Sequence, residues 1–251
     1  MENTMDNYID IHSHILYGID DGSKTLEESI EIIKQHIEMG FTSIVATPHY
    51  IENSKYITNN QKKQNILNNL KKEIKNKNLN VNLYLGNEVF INNNLEKLLN
   101  TNEISSINGS KYLLIELPMH NKIKNINDII YELRIKGIIP IIAHPERYEF
   151  VQKNPKIVKD WIEEGALLQS NYGSIIGIYG NKAKKTIKKL LKQNKITFLA
   201  TDIHFPNNKI YLNMEKIKKK IKKIIGEEKL KELMITNPKK IISNKEISEK
   251  H

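Results

Sequence analysis

The chain has 251 residues, of which 39% are hydrophobic, with 39 basic and 29 acidic side chains and a net charge of +10. That length suits one large domain or two small ones with a sizeable core, and no apolar run approaches the roughly 20 residues of a bilayer span, so no membrane insertion is expected. The absence of cysteine excludes disulfides, thiolate metal sites and cysteine nucleophiles together.

The first residues, "MENTMDNYID", are polar and unlike a signal peptide, which points to a cytoplasmic protein. A short first strand is expected at Tyr8–Ile11, running into "HSH" and then "GIDDGSKT". "TLEESIEIIKQHIEMG" reads as a helix with Leu26, Ile30, Ile33 and Ile37 on one face. Thr25 and Glu28 fit a capping box at its start, and Gly40 fits its stop. Further strands are expected in "TSIVAT" (42–47), "VNLYLG" (81–86), "KYLLIEL" (111–117), "GIIPIIAH" (137–144), "ALLQS" (166–170) and "ITFLAT" (196–201). Helical patterns separate many of them. "KNKNLNVN" and "NNNLEKLLNTNE" read as loops or helix ends, and no linker or repeat divides the chain. Alternating strands and helices predict an α/β fold with a largely parallel sheet. Lysine is concentrated late, in 181–195 and 216–229, with Ile and Leu interleaved. This is the pattern of a solvated amphipathic face, and no nucleic-acid partner is expected.

The polar residues fall at the strand ends. His12 and His14 follow the first strand, His49 the second, and Glu88 the third; Glu116 and His144 end the next two; Asp202 and His204 follow "TFLA". In a closed (β/α) barrel the C-terminal strand ends share one rim, where the active site lies. An HxH pair on a strand points both imidazoles to one face. Imidazole nitrogens and carboxylate oxygens suit Zn, Mn or Fe. With Asp21 the set is too large for one ion and fits two or three ions sharing a bridging carboxylate. So many buried charges without a cation would be costly. His36 falls at the polar edge of the first helix, His120 in a loop and His251 at the terminus. Gln169 and Asn171 could support the ligands or touch substrate, and Tyr50, Tyr148 and Phe205 flank ligands as packing or ring contacts.

"DIHSHILYGIDDGSKTLEES", "GFTSIVATPHY", "GNEVF", "YLLIELP", "GIIPIIAHPERY" and "ATDIH" resemble the PHP (polymerase and histidinol phosphatase) superfamily. More narrowly they resemble its bacterial protein tyrosine phosphatases of capsule and exopolysaccharide operons. The resemblance covers almost the whole chain, and "HSHIL" followed by "GIDDGSKT" is its most specific part. It implies a distorted (β/α) TIM-like barrel, a single domain over residues 1–251 with a core of about 8–241, and three divalent ions. Manganese is the foremost candidate, with iron, zinc and magnesium open. By the resemblance, His12, His14, Glu88 and Asp202 hold one ion, and Asp21, His49 and His204 a second. Glu88 bridges to a third, completed by Glu116 and His144. Asp20 is the rival to Asp21, which the family's "DDG" favours. The implied substrate is a tyrosine-phosphorylated bacterial kinase, through a Tyr-rich tail.

The chemistry narrows alongside. With no cysteine and no DxD sequence, covalent phosphoenzyme routes lack their motifs, and metal-activated water attacking phosphorus in line remains. Arg147, in "HPERY", is the candidate cation for the phosphoryl oxygens, its planar fork suiting bidentate binding. His204 is a candidate proton donor as well as a ligand. A tyrosyl leaving group, with a pKa near ~10, needs less help from an acid than an alkyl alcohol does. The rival readings are a histidinol-phosphate phosphatase of the same superfamily and a PHP domain that has lost catalysis and serves as a binding module.

Overall fold

The structure, a computed structural model, describes residues 7–92 and 94–247. His251 lies outside them. The strands are β1 (Tyr8–Ser13), β2 (Phe41–Ala46), β3 (His49–Tyr50), β4 (Asn82–Leu85), β5 (Glu88–Phe90), β6 (Tyr112–Glu116), β7 (Ile139–Ala143), β8 (Leu167–Asn171) and β9 (Phe198–Ala200). Every strand pair among the described residues is parallel. One sheet has the order β1-β2-β4 and the other β3-β5-β6-β7-β8-β9.

The two sheets are one surface. β2 and β3 are separated only by Thr47 and Pro48, and β4 and β5 only by Gly86 and Asn87. Ala46 pairs with Leu85 before the break and His49 with Glu88 after it, so each strand advances three residues and the register is kept. Pro48 has no N–H to give the ladder. Gly86 has no Cβ, which would sit 3.3 Å from both Thr47 Cγ2 and Val45 Cγ1. The break leaves His49 and Glu88 side by side at the rim. Just past β9 the chain approaches the end of β1 through the isolated bridge Ser13↔Ile203. Two backbone bonds flank it, His14 N–H to Ile203 O and Asp202 N–H to His12 O, both 2.9 Å.

Inside the ring Ile9, Ile11, Val45, Tyr112, Leu114, Ile141, Ala143, Phe198 and Ala200 form one apolar cluster, while the larger core fills the space between strands and helices. β1 carries an irregularity: three steps from Asp10 to Ser13 match two on β2, from Ile44 to Ala46. Such a bulge re-aims side chains, and here it precedes the turn of His12 and His14 toward the rim.

The first helix spans Leu26–Glu38, with Thr25 as its cap accepting from Glu28 N–H. The return bond of the expected capping box is displaced: Glu28 Oε2 accepts from Lys24 N–H at 2.7 Å. His36 is a correction to the sequence reading. It is fully buried, not at a polar edge, because Nε2 meets Asp10 Oδ2 at 3.0 Å. The lysine-rich segments form helices Gly180–Lys192 and Lys209–Ile225, which bury Ile187, Leu190 and Leu191 and Ile210, Met214, Ile217 and Ile221, while Leu212 is exposed. Two strands escaped the sequence reading, β3 and β5, which are only two and three residues long. Among the described residues no helix is long and apolar enough to cross a membrane.

Candidate metal centre

Residues from seven segments converge at the C-terminal strand ends. His12, His14, Glu88 and Asp202 each offer an atom within 4.8 Å of the others, and all four are buried. His14, Asp21, His49 and His204 form a second such group, and His49, Glu88 and Glu116 a third. The first group is the one expected. In the second, His14 joins the expected three. In the third, His49 stands with Glu88 and Glu116, while His144 Nε2 lies beside both carboxylates, 2.9 Å from Glu88 Oε1 and 3.7 Å from Glu116 Oε1.

The cluster is short of positive charge and of partners. His49 Nδ1 and Glu88 Oε2 are 3.1 Å apart yet neither forms a hydrogen bond, and His144 Nδ1 is a third buried atom without one. Burial opposes charge on His12, but Glu88 and Asp202 overcome it and raise the imidazole to about 9. His14 is likewise held well above its ordinary value against burial, chiefly by Asp20. Burial, then the Glu88 charge, pushes the Glu116 carboxyl up to about 8. Protons thus do the neutralising in this arrangement. Buried carboxylates and imidazoles that draw in protons for balance fit divalent cations by both charge and donor type.

The imidazoles are held from behind. Asp20 Oδ2 accepts from His14 Nδ1 at 2.8 Å, while its carboxylate also accepts from Gly22 and His49 N–H. Asp20 is therefore the orienting residue and Asp21 the one that faces the cluster, 3.5 Å from Nε2 of both His49 and His204. Gly22 permits this turn, since a Cβ there would lie 2.3 Å from His14 O. Gln169 Oε1 accepts from His12 Nδ1 at 2.8 Å, and Asn171 Nδ2 donates to Asp202 Oδ2 at 2.7 Å. His204 Nδ1 donates to Asp202 O at 3.0 Å, which leaves its Nε2 as an acceptor. Burial and then His14 lower His204 to about 4.

Two of these residues sit in left-handed backbone, His144 with φ 32° and Asp202 with φ 53°. For a non-glycine residue that costs on the order of 1–3 kcal/mol and persists only where the surroundings enforce it. At His144 the enforcement is visible. The following turn, Pro145–Arg147, is anchored by buried Glu146, which accepts from Ser170 Oγ, Ser174 Oγ and Asn171 N–H. Arg147 is thereby brought to the cluster edge. Its guanidinium bonds Asp202 Oδ2 at 2.6 Å and lies 4.5 Å from the centre of the Tyr179 ring.

The sequence reading missed Asp10 and Glu146. Asp10 accepts from Thr201 N–H and Thr201 Oγ1 as well as His36, tying β1 to the turn that carries Asp202. Its place two residues before His12 in "DIHSH" was the available signal. His120 is exposed and pairs with Glu149, apart from the cluster. Tyr50 bonds Glu103 through its hydroxyl, and Tyr148 is buried between Ala143 O and Leu117 N–H. Phe205 alone of the flanking aromatics is open to solvent, 57% exposed.

The chain is similar to several known proteins. The family model for capsular polysaccharide synthesis, CpsB/CapC, matches residues 8–243. A putative tyrosine-protein phosphatase, CapC of Staphylococcus aureus, is 36% identical over 246 residues, 96% of this chain and 93% of that one. A chain from the crystal structures of YwqE of Bacillus subtilis and CpsB of Streptococcus pneumoniae, metal-dependent tyrosine phosphatases, superposes with a TM-score of 0.85. It is 30% identical and covers 96% of each chain. A histidinol phosphate phosphatase of Lactococcus lactis superposes with a TM-score of 0.55 at 13% identity, a likeness of fold alone.

Proposed function

Because the chain belongs to the CpsB/CapC family of capsular polysaccharide synthesis, we propose that it is a metal-dependent protein tyrosine phosphatase. The carrying observation is the convergence of His12, His14, Asp21, His49, Glu88, Glu116, His144, Asp202 and His204 on one rim. The proposed cofactor is three divalent ions, manganese first among the candidates. Bound ions would supply Lewis acidity and an activated water.

The protein's own residues do the rest. Arg147 is poised to bind a phosphoryl oxygen, its fork reaching the same edge as Asp202. Tyr179 beneath it and Glu146 behind it fix its approach. His204 fits a ligand role better than that of a proton donor: Nδ1 spends its proton on Asp202 O, and adding another at Nε2 would oppose His14. No side chain is thus assigned as acid to the leaving group, which favours a phenolic one. Phe205 offers that ring an apolar face at the mouth. The proposed substrate is a tyrosine-phosphorylated bacterial kinase acting in capsule or exopolysaccharide synthesis, met in the cytoplasm through its Tyr-rich tail. The test is phosphate release from a phosphotyrosine peptide, expected to stop on chelation and to return with manganese. Release that chelation leaves untouched would overturn the proposal.

A further inference from the structure

Lys63 is the one fully buried lysine among the described residues. It lies in the helix Asn60–Asn76, outside the metal cluster. Its ammonium donates to Asn87 Oδ1 at 2.6 Å and to Glu103 O at 3.0 Å, both neutral oxygens. The nearby Glu103 carboxylate is taken up by the Tyr50 hydroxyl. Burial draws the ammonium down to about 7, with Glu103 opposing. A lysine kept inside without a bonded carboxylate is expensive, so its place calls for a reason.

Asn87 supplies one. Its Oδ1 accepts from Lys63 and from Ser105 N–H, so the amide can only turn its Nδ2 the other way. There Nδ2 donates to Pro48 O at 2.9 Å. The same Pro48 carbonyl accepts from Glu88 N–H at 3.2 Å. Pro48 and Asn87 are the two points where the strands break, and each is followed at once by a candidate ligand, His49 and Glu88. We propose that Lys63, acting through Asn87, is a positioning residue that sets the separation of His49 and Glu88 for metal binding. Without the ammonium, one donor alone would orient the Asn87 amide. The Pro48 carbonyl would then keep only Glu88 N–H as a fixed donor, and the paired atoms His49 Nδ1 and Glu88 Oε2 would lose their alignment.

The inference rests on the metal-centre reading. Its test is titration of the metal-free protein with Co2+, followed by visible absorption, beside thermal unfolding. Lys63→Met is expected to weaken Co2+ binding at least tenfold, the scale of lost support behind a ligand. Asn87→Ala is expected to produce a similar loss, and the double variant no further one, because the two residues act in series. Asn87→Ala also serves where Lys63→Met does not fold. Unchanged Co2+ affinity and spectrum in a folded variant, even with a lower melting point, would reduce Lys63 to packing and overturn the inference. No Co2+ binding by the unaltered protein would overturn the metal-centre reading and the inference with it.

Discussion

Gln169 Nε2 donates to Asn171 Oδ1 at 2.8 Å, and through that bond two side chains at opposite ends of the sequence are joined. Gln169 holds His12 and Asn171 holds Asp202, so both partners of the seam between β1 and β9 are oriented from β8. Replacing Gln169 by Leu frees His12 Nδ1 and breaks the link. Metal affinity is expected to fall about 10- to 100-fold, measured by titration of the metal-free variant. An unaltered affinity would mean that the ring is held by packing alone.

Arg147→Ala is expected to retain bound metal and slow turnover on the order of a hundredfold, the usual loss on removing one preorganised contact to the developing charge. Metal should remain because Asn171 still bonds Asp202 Oδ2. Metal analysis and kcat on the same preparation check both halves. An unchanged rate would remove Arg147 from the mechanism.

His36→Ala tests stability and separates it from the site. The change leaves buried Asp10 short of one partner, though Thr201 still donates to it twice. Removing one hydrogen-bond partner from a buried carboxylate costs about 1–3 kcal/mol, which thermal unfolding should report as a lower melting point. His12→Ala should instead abolish activity by removing a ligand. Equal loss of activity at equal stability in the two variants would contradict the assignment.

Metal uptake should release protons at pH 7. In the metal-free protein His12 is raised to about 9 and Glu116 to about 8, so both hold protons there that a cation must displace. Apparent affinity should therefore rise as pH increases through 7 and keep rising toward 9, as Glu116 and His12 lose their protons, with His14, also raised, adding to the slope. His204, lowered to about 4, is already neutral and adds nothing to this slope. Calorimetry at pH 7 in buffers of different ionisation enthalpy measures the proton count. No release would contradict the charge balance described here.

The ring and its rim were legible because periodic apolar runs mark strands and because the polar residues directly follow them. β6, β7 and β8 lie within a residue or two of the runs that announced them. β3 and β5 were not legible, since two or three residues carry no periodicity, and what makes them strands is register inherited from β2 and β4. The ligand types could be read, but not their supports. Asp20 orients His14 while Asp21 faces the cluster, and two adjacent aspartates are alike in a sequence. The burial of His36 escaped for a similar reason: its partner Asp10 lies on another element, and one helix alone cannot show it.

The most direct test of the account is substrate choice. The specificity constant for a phosphotyrosine peptide is compared with that for histidinol phosphate, with the same metal and pH. The family membership and a site without an assigned general acid predict a large preference for phosphotyrosine. A large excess for histidinol phosphate would contradict the account and place the protein with the other phosphatases of its fold.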